Sequence, residues 1–311
     1  MHRVTLALAE DLQAHGGEIR TNVRAERILG DSKRASAVRL TSGEEIPAVQ
    51  LVVSNVDPAQ LVINLLGVEM AGRGIIDKMK QYEWGDSIFV MFVALDGPVN
   101  YKAGSAARQS AHVHLTEPSL DFFARVYLQC RGGTLPSAPM IVSWNDSVID
   151  PSRAPRGKAL MKFVVLSVPY RITKDATGRV PARTWEEARE PYADYLIDLI
   201  TANYIPDLKA KILKRVAHSP VDISRKIITA VRGTLGQGAF LPYQTGSLRP
   251  IPELGQYKTP ISNVYLCSSG SHPGPGVSMA PGRNAAQVIF GDLGLDFSSV
   301  TRNSRETLSP A

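Results

Sequence analysis

The chain has little sulfur, little aromatic character and no long apolar run, and each shortage removes a class of protein. Two cysteines, Cys130 and Cys267, stand far apart in 311 residues and form no CxxC pair. A disulfide framework is thereby excluded, and both read as reduced thiols of a cytosolic-type compartment. No apolar stretch reaches the ~18 residues that a membrane-spanning helix requires. The opening MHRVTLALAEDLQAHGG carries acids and no small-residue cleavage site, so it is not a secretion signal. Aromatic residues make up 7% of the chain, and no basic stretch interleaves them as base stacking would need, so nucleic acid is not an expected partner. The serine-elbow GxSxG, the phosphate loop GxxxxGKS/T and the dinucleotide fingerprint GxGxxG are all absent.

What remains is an ordinary globular composition with a basic balance. Lys and Arg number 35 against 29 acids, a net charge of +6, but the cations are scattered. Only Lys209, Lys211, Lys214 and Arg215 are dense, and they read either as a solvated helix face or as a peripheral contact with anionic lipid. Asp121, Asp146 and Asp150 lack the spacing of a carboxylate pair. His112 and His114 would share a face of a strand, but no third ligand accompanies them, so surface histidines are the plainer reading and no metal is expected.

Periodicity supplies the elements. Val4, Leu8 and Leu12 predict an amphipathic helix stopped by Gly16-Gly17. Glu18–Thr21 and Arg27–Leu29 read as short strands, and 37–40 with 45–47 as a hairpin around Thr41-Ser42-Gly43-Glu44. Leu51–Ser54 is apolar throughout, which predicts a strand covered on both faces whose neighbours come from elsewhere in the chain. Ser87–Leu95 and Ala159–Val168 read as long strands of a different, mixed sheet. Thr184 caps a helix running to Asn203, with Pro191 expected to break or kink it. The stretch 233–250, GTLGQGAFLPYQTGSLRP, reads as a loop lining a cavity. The chain thus divides into 1–57, 58–232 and 233–311, the outer parts forming one sheet domain and the middle another domain.

The segment YLCSSGSHPGPGVSMAPGRNAAQVIF, 265–290, is the densest in chemistry. A strand end at 264–266 leads through Ser268, Ser269, Gly270 and Ser271 to a Pro- and Gly-rich turn and then to a helix. Pro281 fits only the first helical turn, which puts the helix start near Val277 or Ser278. Such a strand–turn–helix unit presents backbone N–H groups to an anion or a hydroxyl-rich ligand; a tight turn without a ligand is the equal alternative. His272 beside Ser268 and Ser269 lacks an orienting acid and reads as a turn residue rather than a catalyst.

Three segments, HGGEIRTNVRAERI, AVRLTSGEEIPAVQLVVSNVDP and TPISNVYLCSSGSHPGPGVSMAPGRNAA, together resemble the phytoene desaturase-like FAD-dependent oxidoreductases, and DPSRAP and RPIPELGQYKTP extend the resemblance over nearly the whole chain. The resemblance implies an α/β (mixed α+β) fold: part of a glutathione-reductase-type FAD-binding domain with an inserted mixed-sheet substrate domain. FAD is the implied cofactor and an apolar small molecule the implied substrate, exchanging hydride with the flavin. Ala25 would place its backbone against the adenine, where the family more often has Val. Ser269, Gly270, His272, Gly276, Val277, Ser278 and Met279 would lie along the ribityl–pyrophosphate and the flavin ring. Ser268 and Pro275 stand where the family commonly has Gly, which crowds that loop. No catalytic residue is carried over.

Family members open with a strand, GxGxxG and a helix. Residue 1 here corresponds to the middle of a family member, so the expectation is the C-terminal portion of a flavin oxidoreductase, or a chain whose first half is a separate partner. The alternatives are a non-catalytic remnant or binding partner without flavin chemistry, and a lipid carrier at a membrane surface. The implied location is the bacterial cytoplasm or the mitochondrial matrix of a eukaryote, with association to a membrane left open.

Overall fold

A computed structural model describes residues 2–181 and 183–300. Its twelve strands are β1 (Ala25–Gly30), β2 (Ala35–Leu40), β3 (Glu45–Pro47), β4 (Val52–Ser54), β5 (Ser87–Leu95), β6 (His112–Leu115), β7 (Thr134–Leu135), β8 (Met140–Trp144), β9 (Ala159–Val168), β10 (Lys174–Asp175), β11 (Ile212–His218) and β12 (Val264–Leu266). Strands and helices alternate without a uniform pattern, an α/β fold of mixed type. Among the described residues, 2–81, Ile251–Ser271 and 280–300 form one compact unit, and Tyr82–Pro250 with His272–Met279 form a second.

The first unit combines an antiparallel meander, β1-β2-β3, with a parallel pair, β4-β12. The meander follows from its turns: Gly43 takes a φ of 87° between β2 and β3, a value that side chains rarely adopt. The helix His2–Ala14 ends as expected, Gly17 N–H donating to the Leu12 carbonyl at 2.8 Å. Residues 18–21, expected as a strand, make no ladder. β4 and β12 lie some two hundred residues apart and meet in the register Val52↔Val264, Val53↔Tyr265, Ser54↔Leu266. Each supplies the neighbour that the other's apolar character demanded. The expectation of cover on both faces fails at Val53, which is 44% exposed. Asn263 joins the pair to the meander: its Oδ1 accepts from Ala35 N–H at 2.8 Å and its Nδ2 donates to the Ala35 carbonyl at 3.0 Å. The helix Ala280–Asp292 follows β12 and is tied back to it by the Tyr265 hydroxyl donating to Asp292 at 2.9 Å. Pro281 falls in the first turn as required, but the helix starts two to three residues later than its sequence suggested, because Met279 takes a φ of 58°.

The second unit is built on an antiparallel sheet in the order β11-β5-β9-β8-β6. Burial alternates along β9, so one face only is fully covered. That covered face carries Phe89, Met91, Phe163 and Val165 against Tyr192, Leu196 and Ile200 of the helix Trp185–Asn203. Phe89 meets Tyr192 edge-on at 5.3 Å and stacks on Trp185 at 5.7 Å. Each such side chain contributes ~1.5–3 kcal/mol by leaving water. Thr184 caps the helix, its hydroxyl accepting from Glu187 N–H at 3.4 Å. The helix continues through Pro191, which sits on the exposed side.

Candidate cofactor-binding site

The carboxyl ends of the parallel strands β4 and β12 lie level, because Ser54 pairs with Leu266. The carbonyl of Ser54 accepts from Cys267 N–H at 2.9 Å and from the Cys267 thiol at 3.4 Å. Both strands then turn sharply, one through Asn55–Pro58 and the other through Cys267–Ser271. The turns touch at Gly270. A Cβ there would lie 2.3 Å from Pro58 Cγ and Cδ, so only glycine fits. Ser268 braces the second turn: its hydroxyl accepts from Gly270 N–H at 3.2 Å and its carbonyl from Ser271 N–H at 2.9 Å.

Asp57 anchors the first turn. Its Oδ1 accepts from Gln60 N–H at 3.0 Å and its carbonyl from Leu61 N–H at 3.0 Å, which starts the π-helical segment Gln60–Leu66. The residue is fully buried. Burial pushes its carboxyl up to about 6, against the opposing pull of the Gln60 and Ala59 N–H groups. The other oxygen, Oδ2, is buried without a hydrogen-bond partner among the described residues, and so are the hydroxyls of Ser54 and Ser271. Each orphaned group costs about 1–3 kcal/mol while unsatisfied. Three of them in two touching turns, at the carboxyl end of a parallel pair, mark the place where open α/β sheets take ligands. Two hydroxyls and a carboxylate oxygen suit a ligand rich in hydroxyl groups.

The eight residues expected to touch a cofactor fall in both units. Ser269 is half-buried and Gly270 buried, beside the three orphaned oxygens. Ala25 belongs to the same unit, exposed on β1 opposite Leu40. His272, Gly276, Val277, Ser278 and Met279 belong to the second unit and are exposed. Ser271 was read only as part of the 268–271 turn, and Ser54 and Asp57 were not read as site residues. Apart from its share in the family resemblance, the run SNVDP read as the end of a strand, since nothing in its own sequence brings it against the 267–271 turn.

In the second unit a loop is gathered about one cation. Arg249 is fully buried, and its guanidinium donates to the carbonyls of Gly236 at 2.6 Å, Ala239 at 3.2 Å, Gln244 at 3.2 Å and Gly238 at 3.4 Å. Phe240 stacks on it at 4.9 Å. A Cβ on Gly274 would lie 2.9 Å from Phe240 Cζ, so the 272–279 segment lies directly on this loop. A cavity of about 530 Å³ opens elsewhere in the unit, lined by Trp84, Asp86, Cys130, Tyr170 and Arg232 among others. Asp86 accepts from the Ser167 hydroxyl at 2.5 Å. Burial, with Asp86 beside it, pushes the Cys130 thiol far up, and burial raises Cys267 as well, which disfavours the thiolate form of both. No cluster of three metal-ligating side chains occurs among the described residues, and none of the helices there is long and apolar enough to cross a membrane.

No protein-family model matches the chain. Over 296 residues it is 31% identical to pyridine nucleotide-disulfide oxidoreductase domain-containing protein 2 of Rattus norvegicus, covering 92% of this chain and 49% of the rat protein. It is 26% identical to a lycopene-forming phytoene desaturase of Pseudescherichia vulneris, over 89% of this chain and 52% of that one. These relatives fit a C-terminal portion of the phytoene desaturase-like oxidoreductases. A neurosporene-forming phytoene desaturase of Rhodobacter capsulatus is a further relative, 26% identical over 91% of this chain and 51% of its own length. The chain therefore spans about half the length of the curated relatives it matches. The fold is shared with an oxidoreductase from Methanosarcina mazei (TM-score 0.51, 14% identity, 92% of this chain and 52% of that one). It is shared also with a redesigned putrescine oxidase (TM-score 0.52, 12% identity, 93% and 52%).

Proposed function

We propose that the chain holds part of an FAD and presents an apolar substrate to it for hydride exchange. The observation that carries this reading is the trio of orphaned oxygens, Ser54 Oγ, Asp57 Oδ2 and Ser271 Oγ, at the carboxyl ends of β4 and β12. The flavin, when bound, supplies two-electron hydride chemistry that no amino-acid side chain provides. Ser54 and Ser271 would hold ribityl or ribose hydroxyls, and Asp57 would accept from one of them. Gly270 keeps the two turns in contact, which fixes the spacing of those three groups. The family resemblance adds Ala25, Ser269 and Gly270 of the same unit to that cofactor. The apolar substrate belongs to the second unit, whose sheet keeps one face incompletely covered.

The test is the flavin spectrum of the purified 311-residue chain after reconstitution with FAD. Bound flavin at about one per chain, weakened at least tenfold by Ser54→Ala/Ser271→Ala, is the expected result. A chain that takes up no flavin under any condition defeats the reading.

A second reading takes the half that carries GxGxxG to be a separate chain. In it the chain is a non-catalytic binding partner, and flavin chemistry needs another chain that carries the fingerprint. Flavin uptake only in the presence of such a chain would support it.

A further inference from the structure

The incompletely covered face of the β11-β5-β9-β8-β6 sheet ends in a cluster that the flavin reading does not use. Cross-strand register sets His112, Trp144, Lys162, Phe92 and Val216 in one row, and His114, Val142, Val164, Val90 and His218 in the next. Side chains alternate along a strand, so both rows lie opposite the face packed on the helix Trp185–Asn203. The His112 ring stacks on the Trp144 indole with centroids 4.3 Å apart, and His114 lies 4.9 Å from His112. Lys162 Nζ sits 4.4 Å from the centroid of the same indole.

The Trp144 N–H and the Lys162 ammonium are donors for which the described residues supply no acceptor. Trp144 Nε1 is buried without a hydrogen-bond partner among the described residues. Lys162 enters no ion pair there. Asp146, two residues beyond Trp144, is held by Arg153 at 3.2 Å. Burial, and then the His114 and Lys162 charges, hold the His112 ring below its ordinary pKa, and no carboxylate opposes them. The corner therefore carries one ammonium, Lys162, beside the Trp144 indole N–H and the His112 ring. It suits a ligand with one negative charge and two acceptor oxygens. Away from the corner the middle of the face is apolar, Phe92 being 38% exposed and Val90, Val164 and Leu166 half-buried beside Ile223, while Lys214 and His218 lie on the same face of β11.

We propose that the His112–Trp144–Lys162 corner binds the carboxylate of a long-chain apolar molecule whose hydrocarbon lies along the Val164–Val90 row. The inference rests on the apolar-substrate reading and adds to it an anionic end group. Dodecanoate and dodecan-1-ol, titrated into the full chain without FAD and followed by calorimetry, separate the two. Dodecanoate should bind at least about tenfold more tightly than the alcohol, since one charge-assisted contact is worth that much. Lys162→Met should remove the preference while leaving the alcohol unaffected, Lys162→Arg should keep it, and Trp144→Phe should reduce it. Equal affinities, no binding of dodecanoate, or a preference that survives Lys162→Met would overturn the proposal. Flavin uptake is measured separately, so a chain that fails to bind FAD yet discriminates the two ligands separates the two ideas.

Discussion

Asp57 shows how much one buried carboxyl can decide. A carboxyl raised in the folded state is worst off when ionised, so its contribution to stability is best below the unfolded value of 3.8 and falls as pH rises to about 6. Replacing it by Asn keeps an oxygen for the Gln60 N–H and removes the charge. The melting temperature of Asp57→Asn relative to the parent should therefore climb between pH 4 and 7, by the equivalent of about 1–3 kcal/mol. A flat difference across that range would show that Oδ2 is solvated. Gly270 is the opposite case, a residue that matters for what it lacks. Gly270→Ala drives a methyl into Pro58, 2.3 Å away, and should cost about 1–3 kcal/mol in urea unfolding, with flavin uptake falling too.

Among the elements, the 233–250 loop is held by a side chain rather than by a ladder. Arg249→Met removes donors from four carbonyls at once and leaves them buried. A loss of about 3 kcal/mol is expected, with limited proteolysis shifting to the loop, because an abandoned acceptor keeps its full desolvation cost. The helix Leu120–Arg131 carries a different message. Leu120 is 85% and Leu128 68% exposed on it, with Phe123 and Tyr127 also outward and Arg125 and Arg131 interspersed. Arg125 and Arg131 are paired with Glu117 and Glu83, so the apolar side chains are what this helix would offer a bilayer. If the chain docks on membranes, it should cosediment with anionic vesicles at low salt, and Leu120→Ser/Leu128→Ser should release it; equal recovery of the two forms in the supernatant would count against a membrane contact.

For the whole molecule, the parallel pair β4-β12 is the point of weakness and of use. Two short strands give little intrinsic stability, and the three orphaned oxygens beside them lower it further. A ligand that satisfies those groups should stabilise the fold by mass action. FAD at about a hundred times its dissociation constant should add roughly 2.7 kcal/mol, read as a concentration-dependent rise in melting temperature. The rise should vanish in Ser54→Ala/Ser271→Ala.

Local pattern was enough for much of the architecture. The hairpin at 37–47 is fixed by its turn, the long strands at 87–95 and 159–168 by β-branched runs, and the helix after Thr184 by its cap and apolar spacing. The family and the Ser269–Gly270 turn were likewise legible, since they reside in contiguous motifs. Residues 18–21 were misread because extended polar segments look like strands until a partner is required. The apolar run at 51–54 called for distant neighbours, but its register against β12 could not be read, because a parallel contact across two hundred residues leaves no register mark in either segment. The same holds for the site. Ser54, Asp57 and Ser271 are ordinary turn residues in sequence, and the Lys162–Trp144–His112 corner is spread over three strands. Sequence determined which segments fold and which family they serve, since propensity and motif act over a few residues. Only the tertiary structure decided which polar atoms are buried without partners, because burial depends on what distant segments bring to cover them.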